Sequence, residues 1–191
     1  MKNISKFPSF VILLFAFITI IGCDSDDPEP VNEEELITTL TVTFVDRGDS
    51  NETIVATFTD LDGPGGNDPV ITDPVTLQAN KSYSVVVAFL NETESPAENI
   101  TEEVSEESDE HQVFFVPSSG LNFSYLYSDK DANDLPLGLL GFVNIGEAST
   151  GTLEIALIHE PVKTAQGVAD GDPTNAGGET DINVSFNLVI Q

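Results

Sequence analysis

The chain has 191 residues and carries 33 acidic against 6 basic side chains, so its formal net charge is −27. That length suits one domain with a sizeable hydrophobic core. The charge argues against nucleic acid as a partner, because phosphate binding needs patches of lysine and arginine, and equally against docking to anionic lipid through a basic surface. Cys23 is the single cysteine, which excludes an intramolecular disulfide and a zinc site built from several cysteines.

Residues 1–22 have the pattern of a secretory signal peptide rather than of a folded segment. Lys2 and Lys6 give it a positive start, and an apolar run over residues 10–21 follows. That run is shorter than the roughly 20 apolar residues that a membrane-spanning helix needs. We therefore expect this segment to be absent from the mature protein.

The signal segment ends in Ile20, Ile21, Gly22 and Cys23, and this ending resembles the lipobox of bacterial lipoproteins. The resemblance implies cleavage after Gly22, transfer of a diacylglyceryl group to the Cys23 sulfur, and acylation of the new N-terminus by a fatty acid such as palmitate. Two or more acyl chains anchor a protein stably to a membrane. The alternative is a soluble secreted protein with an incidental cysteine after its signal peptide.

Residues 23–35 are predicted to be the lipidated cysteine and a disordered acidic tether, because they contain prolines, many carboxylates and almost nothing to bury. The acidic run over residues 25–27 resembles the surface-export signals of some Gram-negative lipoproteins. Asp24, directly after the cysteine, instead fits an inner-membrane retention signal. We expect a lipid anchor in the outer membrane with the domain on the cell surface, and the periplasmic face stays open as an alternative.

From residue 36 to residue 191 apolar and polar side chains alternate, as they do in half-buried β-strands. In the last segment the apolar residues 182, 184, 186, 188 and 190 share one face, and the alternation puts Asp181 on the opposite, outward face. Strands do not alternate with helices, which argues against a parallel α/β fold. We predict an all-β domain, an antiparallel immunoglobulin-like β-sandwich of about eight strands with one short acidic helix.

The predicted helix follows Ser95, Pro96, Ala97 and Glu98, which read as a capping box with Ser95 as N-cap and Glu98 three positions later. Ile100 and Val104 would then lie on one face and pack on the sandwich over three or four turns. The exposed positions up to residue 110 carry carboxylates and no lysine or arginine. This segment is either a solvated acidic helix or a surface that meets a cation.

The chain has two histidines, and each is next to a carboxylate at the end of a predicted strand. His111 follows Glu110, and His159 precedes Glu160. Imidazole and carboxylate together suit Zn²⁺, Cu²⁺ or Ni²⁺. These four residues are therefore the candidate transition-metal ligands, and the alternative is a pair of unrelated polar residues that end two strands.

A second candidate cation site lies in the segment from residue 129 to residue 134. Asp129, Asp131 and Asn133 occupy alternate positions, with Asp134 next to them, as at the start of a calcium-binding loop. The segment is not an EF-hand, because Asp134 and Leu140 replace the required glycine and glutamate. An irregular Ca²⁺ loop and an ordinary hairpin turn both stay open, and residues 170–181 form a second loop of similar composition.

Motifs of the common enzyme classes are absent from the sequence, so we expect no enzymatic activity. Beyond the lipobox, the segments 109–112, 159–161 and 175–181 resemble an uncharacterised family of Gram-negative lipoproteins. Members of that family tend to accompany TonB-dependent outer-membrane receptors. The resemblance implies a nutrient- or metal-handling accessory whose ligand is unknown.

Two functions fit these observations. The first is a surface lipoprotein that binds a ligand or divalent metal and serves a transporter such as a TonB-dependent receptor. The second is a structural or adhesive β-sandwich module whose loops are stiffened by Ca²⁺. The two hypotheses differ over whether the rings of His111 and His159 meet in space, within about 5 Å of each other and beside a carboxylate.

Overall fold

A computed structural model gives the fold of residues 36–63, 65–93 and 95–191. The signal peptide predicted over residues 1–22, the lipidation of Cys23 and the tether predicted up to residue 35 lie outside the described residues. In the part of the chain that the structure describes, no helix has both the length and the apolar character needed to cross a membrane.

The described residues form ten strands, one α-helix (α1) and two short 3-10 helices. In chain order these are β1 Thr39–Asp46, β2 Thr53–Thr59, β3 Val70–Ile71, β4 Val75–Leu77, β5 Ser82–Leu90, α1 Ile100–Glu106, β6 His111–Pro117, β7 Phe123–Tyr127, β8 Leu140–Ile145, β9 Ser149–His159, the 3-10 helices Val168–Asp170 and Pro173–Asn175, and β10 Glu179–Ile190.

The strands form two sheets, so the predicted all-β sandwich is confirmed. The larger sheet has six strands in the order β3-β2-β1-β5-β8-β7, and the smaller has four in the order β4-β10-β9-β6. One pairing departs from the expected antiparallel arrangement, because the short edge strand β4 runs parallel to β10. The chain passes from the larger sheet to the smaller one between Ile71 and Val75.

The core lies between the two sheets and follows the alternation of the sequence. In β10 the inward residues are buried from Ile182 to Ile190, as predicted. Phe186 is 1% exposed and pairs in register with Leu153 of β9. Burying one such side chain contributes about 1.5–3 kcal/mol, so the alternation by itself accounts for much of the stability of the sandwich.

Strand β6 is buried on both faces over most of its length, because the long loop after β9 covers its outer side. Phe114 of β6 and Ile158 of β9 form a small outer cluster with Val168 and Ala176 of that loop. The Gln112 side chain lies on the same face and donates a hydrogen bond of 2.9 Å to the carbonyl oxygen of Val168. The loop is therefore packed on the sheet, next to the ends of the strands that carry the histidines.

The predicted start of the helix is wrong. The backbone groups of Glu98 pair with Asn91 in an isolated antiparallel bridge, at 2.9 and 3.1 Å, so Glu98 cannot serve as the third residue of a helix. Helix α1 begins after Asn99 and has seven residues, about two turns rather than three or four. The predicted face is confirmed, because Ile100 and Val104 are both buried.

Candidate metal centre

The pairing of β6 with β9 brings the two histidines together. His111 and His159 are direct partners in the antiparallel register, and their side chains stack with ring centroids 4.6 Å apart and an interplanar angle of 25°. Both rings are shielded from solvent, since His111 is fully buried and His159 is 7% exposed. The distance falls within the range that the metal-binding hypothesis requires.

His111 is held in one orientation and one tautomer by the end of helix α1. Its Nδ1 lies 3.2 Å from the carbonyl oxygen of Glu107. Because a carbonyl oxygen only accepts hydrogen bonds, Nδ1 carries the proton and Nε2 presents a lone pair. This Nε2 atom is buried and has no hydrogen-bond partner among the described residues. Metal-binding histidines in proteins are commonly oriented through a hydrogen bond of this kind.

Burial also keeps His111 in the form that binds metals. Removal from water lowers the pKa of the His111 imidazole, because the charged form loses its hydration, and the nearby His159 lowers it further. The hydrogen bond to Glu107 acts in the opposite direction without cancelling the effect of burial. His111 is therefore neutral near pH 7, with its lone pair free for a cation.

His159 has one buried nitrogen and one that faces a carboxylate. Its Nδ1 is buried and has no hydrogen-bond partner in the described part of the chain. Its Nε2 lies 3.7 Å from Oε2 of Glu110, whose side chain is 53% exposed. Nδ1 of His159 therefore lies in the protein interior, whereas Nε2 lies beside a partly exposed carboxylate.

Asp181 provides the carboxylate beside the histidines. Each of His111, His159 and Asp181 has one ligand atom within 4.8 Å of those of the other two. The expectation that Asp181 faces outwards is wrong, because the register of β10 against β9 shifts between Thr180 and Ile182. An extra residue of this kind re-aims a side chain, and such irregularities are frequent next to functional sites.

A glycine lets the chain return to β10 next to His159. Gly178 has a φ of +71°, and a Cβ at this position would collide with the carbonyl oxygen of His159. Only a residue without a side chain fits there without strain. The sequence places Gly177 and Gly178 just ahead of β10, but the close approach to His159 is visible only in the fold.

The four residues predicted as transition-metal ligands lie at one corner of the smaller sheet, but their ligand atoms fall into two groups. His111 belongs to the group with Asp181 described above. Glu110, His159 and Glu160 form a second group whose ligand atoms lie within 4.8 Å of one another. The backbone N–H of Glu160 donates to the carbonyl oxygen of Glu110 at 2.6 Å, which holds the two carboxylate-bearing residues side by side. In the described part of the chain, both three-residue groups of ligand type therefore contain His159.

The loop predicted as a calcium site uses its carboxylates internally. The Asp129 carboxylate accepts hydrogen bonds from the backbone N–H groups of Gly138 and Leu140, at 2.9 and 2.8 Å. Oδ1 of Asp131 accepts from the N–H groups of Asn133 and Leu135, at 2.8 and 2.9 Å. These are the contacts of a folded turn, which is the alternative that the sequence left open.

A buried lysine lies beside Asp131 and places a positive charge next to its carboxylate. Nζ of Lys163 lies 3.0 Å from Oδ2 of Asp131, and both side chains are almost fully buried. Nζ also donates to the carbonyl oxygen of Ser108 at 2.5 Å. Burial raises the pKa of Asp131, but the hydrogen bonds from Leu135, Lys163 and Asn133 outweigh it and hold the pKa below its usual value.

The other two residues of that loop are exposed. The backbone N–H of Asn133 donates a hydrogen bond to Asp131. Oδ1 of Asp134 lies 3.8 Å from Nζ of Lys130, and the side chains of Asp134 and Lys130 are both mostly in solvent. In the loop from residue 170 onwards, the Asp172 carboxylate accepts a hydrogen bond from the Thr174 backbone N–H and caps a 3-10 helix. None of these groups belongs to a three-residue ligand cluster within the described ranges.

Fold and geometry together define a β-sandwich with a buried imidazole–carboxylate cluster at the end of its smaller sheet. Comparisons with known protein families, with curated proteins and with solved structures gave no match to this chain. The chemistry of the cluster is therefore the main guide to function. Two imidazoles and a carboxylate favour zinc, copper or nickel over the hard cations calcium and magnesium.

Proposed function

We propose that this protein is a lipid-anchored outer-membrane module that binds a divalent transition-metal ion at the cell surface and serves a transporter. The metal is bound by His111 and His159, with Asp181 and the neighbouring Glu110 and Glu160 as carboxylate ligands. The observation that carries this proposal is the buried contact between the two histidine rings, each with one nitrogen that lacks a hydrogen-bond partner among the described residues.

A physical cost supports this assignment. A buried polar nitrogen without a partner costs about 1–3 kcal/mol, and here two lie in one small space. A protein that bound no ligand there would be more stable with apolar residues at positions 111 and 159. Binding of an ion offsets this cost and adds stability in proportion to RT ln(1 + [L]/Kd).

Zinc titration of the full-length protein tests the metal site. The protein is purified in mild detergent without a histidine tag, stripped with chelator, and titrated with Zn²⁺ in competition with a chromophoric indicator. We expect one Zn²⁺ per chain, and loss of at least tenfold in affinity for His111→Gln and for His159→Gln. The exposed variant Asp134→Asn serves as the control that removes a carboxylate elsewhere. An unchanged affinity in both histidine variants would overturn the metal proposal.

The cellular location of the protein is proposed from the sequence, because Cys23 ends a lipobox-like segment. We expect Cys23→Ser to move the protein from the membrane to the soluble fraction, since lipid is the only anchor proposed. Protease treatment of intact cells measures surface exposure. A Cys23→Ser protein that stays in the membrane fraction would contradict lipid anchoring, and full protection from protease would favour the periplasmic face.

The link to a transporter rests on the resemblance to lipoproteins that accompany TonB-dependent receptors. A deletion strain complemented with the wild-type gene should grow in chelator-limited medium, and one complemented with the His111→Gln/His159→Gln variant should not. Equal growth of the two strains, at equal protein levels, would show that metal binding by this protein is not needed for nutrient uptake, and would contradict the link to a transporter.

A further inference from the structure

The two groups of ligand-type side chains share His159, and they differ in exposure. The inner group contains His111 and Asp181, whose ligand atoms are buried, while the outer group contains Glu110 and Glu160, which are exposed. Building on the metal-binding function proposed above, we propose that they are two successive positions of one metal ion, an outer capture position and an inner retention position. The ion moves from one side of the His159 ring to the other.

The orientation of the ring assigns a nitrogen to each position. Nε2 of His159 lies next to Glu110, so it belongs to the outer group. Nδ1 is the buried nitrogen without a partner in the described part of the chain, so it belongs to the inner group with His111. An ion held at the outer position by Nε2, Glu110 and Glu160 keeps access to water, whereas an ion at the inner position is enclosed.

The chemistry of imidazole makes the two positions mutually exclusive. A neutral imidazole has one nitrogen with a lone pair and one that carries a proton. When Nδ1 binds the inner ion, the proton is on Nε2 and faces the Glu110 carboxylate, as in the carboxylate–histidine–metal arrangements of many proteins. When Nε2 binds the outer ion, the proton is on Nδ1. Inward transfer of the ion therefore moves one proton from Nδ1 to Nε2.

His159 is also the freer of the two rings. The Nδ1 atom of His111 is tied to the Glu107 carbonyl. By contrast, Nδ1 of His159 has no hydrogen-bond partner among the described residues, and its Nε2 lies 3.7 Å from Oε2 of Glu110. Two nitrogens on one tetrahedral zinc ion are roughly 3.4 Å apart, given zinc–nitrogen distances of about 2.0–2.1 Å. Ligand atoms spread over up to 4.8 Å must therefore close around the ion. We infer that His159 moves and His111 stays fixed.

Nitrogen-15 NMR of the full-length protein tests this directly, since the chain contains only two histidines. In the zinc-loaded protein we expect His159 to coordinate through Nδ1 and to carry its proton on Nε2. In His111→Gln, which lacks one inner ligand, we expect the remaining weak binding to use Nε2 of His159. Coordination through the same His159 nitrogen in both proteins would overturn the two-position proposal.

Kinetics provides a second test with a matched control. Glu160→Gln removes a ligand from the outer group alone, so we expect the association rate of Zn²⁺ to fall about fivefold, a larger change than that in the dissociation constant. Glu154→Gln makes the same charge change on an exposed position of β9 away from the histidines. For this variant we expect neither the association rate nor the dissociation constant of Zn²⁺ to change. Equal association rates in the two variants would overturn the capture role of the outer group.

The stoichiometry separates this inference from the metal function itself. One Zn²⁺ per chain is expected at pH 7, and two tightly bound ions would show that the positions are independent. If the chelator-stripped protein binds no Zn²⁺ at all, the proposed function fails. If it binds Zn²⁺ through both histidines but Glu160→Gln behaves like Glu154→Gln, only the two-position inference fails.

Discussion

The histidine corner of the smaller sheet and the loop from Asp129 to Asp134 are both rich in metal-ligand side chains, but they use those side chains in different ways. In the loop, the Asp129 and Asp131 oxygens accept backbone N–H groups, and Lys163 supplies the positive charge. At the corner, one nitrogen of each histidine is buried without a partner among the described residues.

This contrast shows why an acidic composition is a weak indicator of a metal site. Carboxylates in loops readily satisfy nearby backbone N–H groups and so complete the fold by themselves. A ligand site needs polar atoms that the fold has desolvated and left without a partner. If this contrast holds, the loop is stable without a cation, whereas the histidine corner requires a ligand.

The largest effect is expected from the buried ion pair of the loop. Lys163→Met leaves the Asp131 carboxylate buried without its cation, which typically costs about 3–5 kcal/mol. Chemical denaturation of the full-length protein measures the loss in the free energy of unfolding. Lys130→Met is the matched control, because its partner Asp134 is exposed and such surface pairs contribute about 0–1 kcal/mol. A small effect for Lys163→Met would mean that the loop does not depend on this pair.

A smaller effect is expected from acid, with different pH windows for the two regions. The folded pKa of His111 lies below its unfolded value near 6.5, so the unfolded chain takes up the proton first. Stability from the histidine corner is therefore complete above about pH 6.5 and is lost as the pH falls below it. The melting temperature of the metal-free protein should fall as the pH is lowered from 8 to 5, and it should fall less for His111→Gln than for the wild type.

The loop should respond only at lower pH. The folded pKa of Asp131 lies below its unfolded value of about 3.9, so its contribution is present above that pH and is lost as the pH falls through the folded pKa. Asp131→Asn should therefore leave the decline between pH 8 and pH 5 unchanged. A flattening of that decline by Asp131→Asn would contradict the assignment of the two windows.

The smallest effect concerns calcium. Because the Asp129 and Asp131 oxygens are engaged in the fold, Ca²⁺ should stabilise the protein no more than NaCl at matched ionic strength, with melting temperatures that agree within about 1 °C. Zn²⁺ should raise the melting temperature well beyond that level. A larger shift with Ca²⁺, abolished by Asp129→Asn, would restore the calcium-loop hypothesis and show that the loop also binds a cation.

The sequence indicated much of the fold because strand patterns are local. The alternation in β10 predicted the buried face from Ile182 to Ile190, and the spacing of Ile100 and Val104 predicted the buried face of α1. The start of α1 was missed because the pairing of Glu98 with Asn91 competes with the capping box. A local motif cannot reveal a partner that the backbone finds elsewhere in the chain.

For the candidate site, the sequence by itself determined the chemistry, namely two histidines, each beside a carboxylate at a strand end. Only the tertiary structure decided which groups meet. The register of β6 on β9 stacks His111 on His159, the shift in β10 brings in Asp181, and Lys163 satisfies Asp131. These contacts join segments that are far apart in the chain, so they depend on strand register and loop packing, which residue patterns do not encode locally.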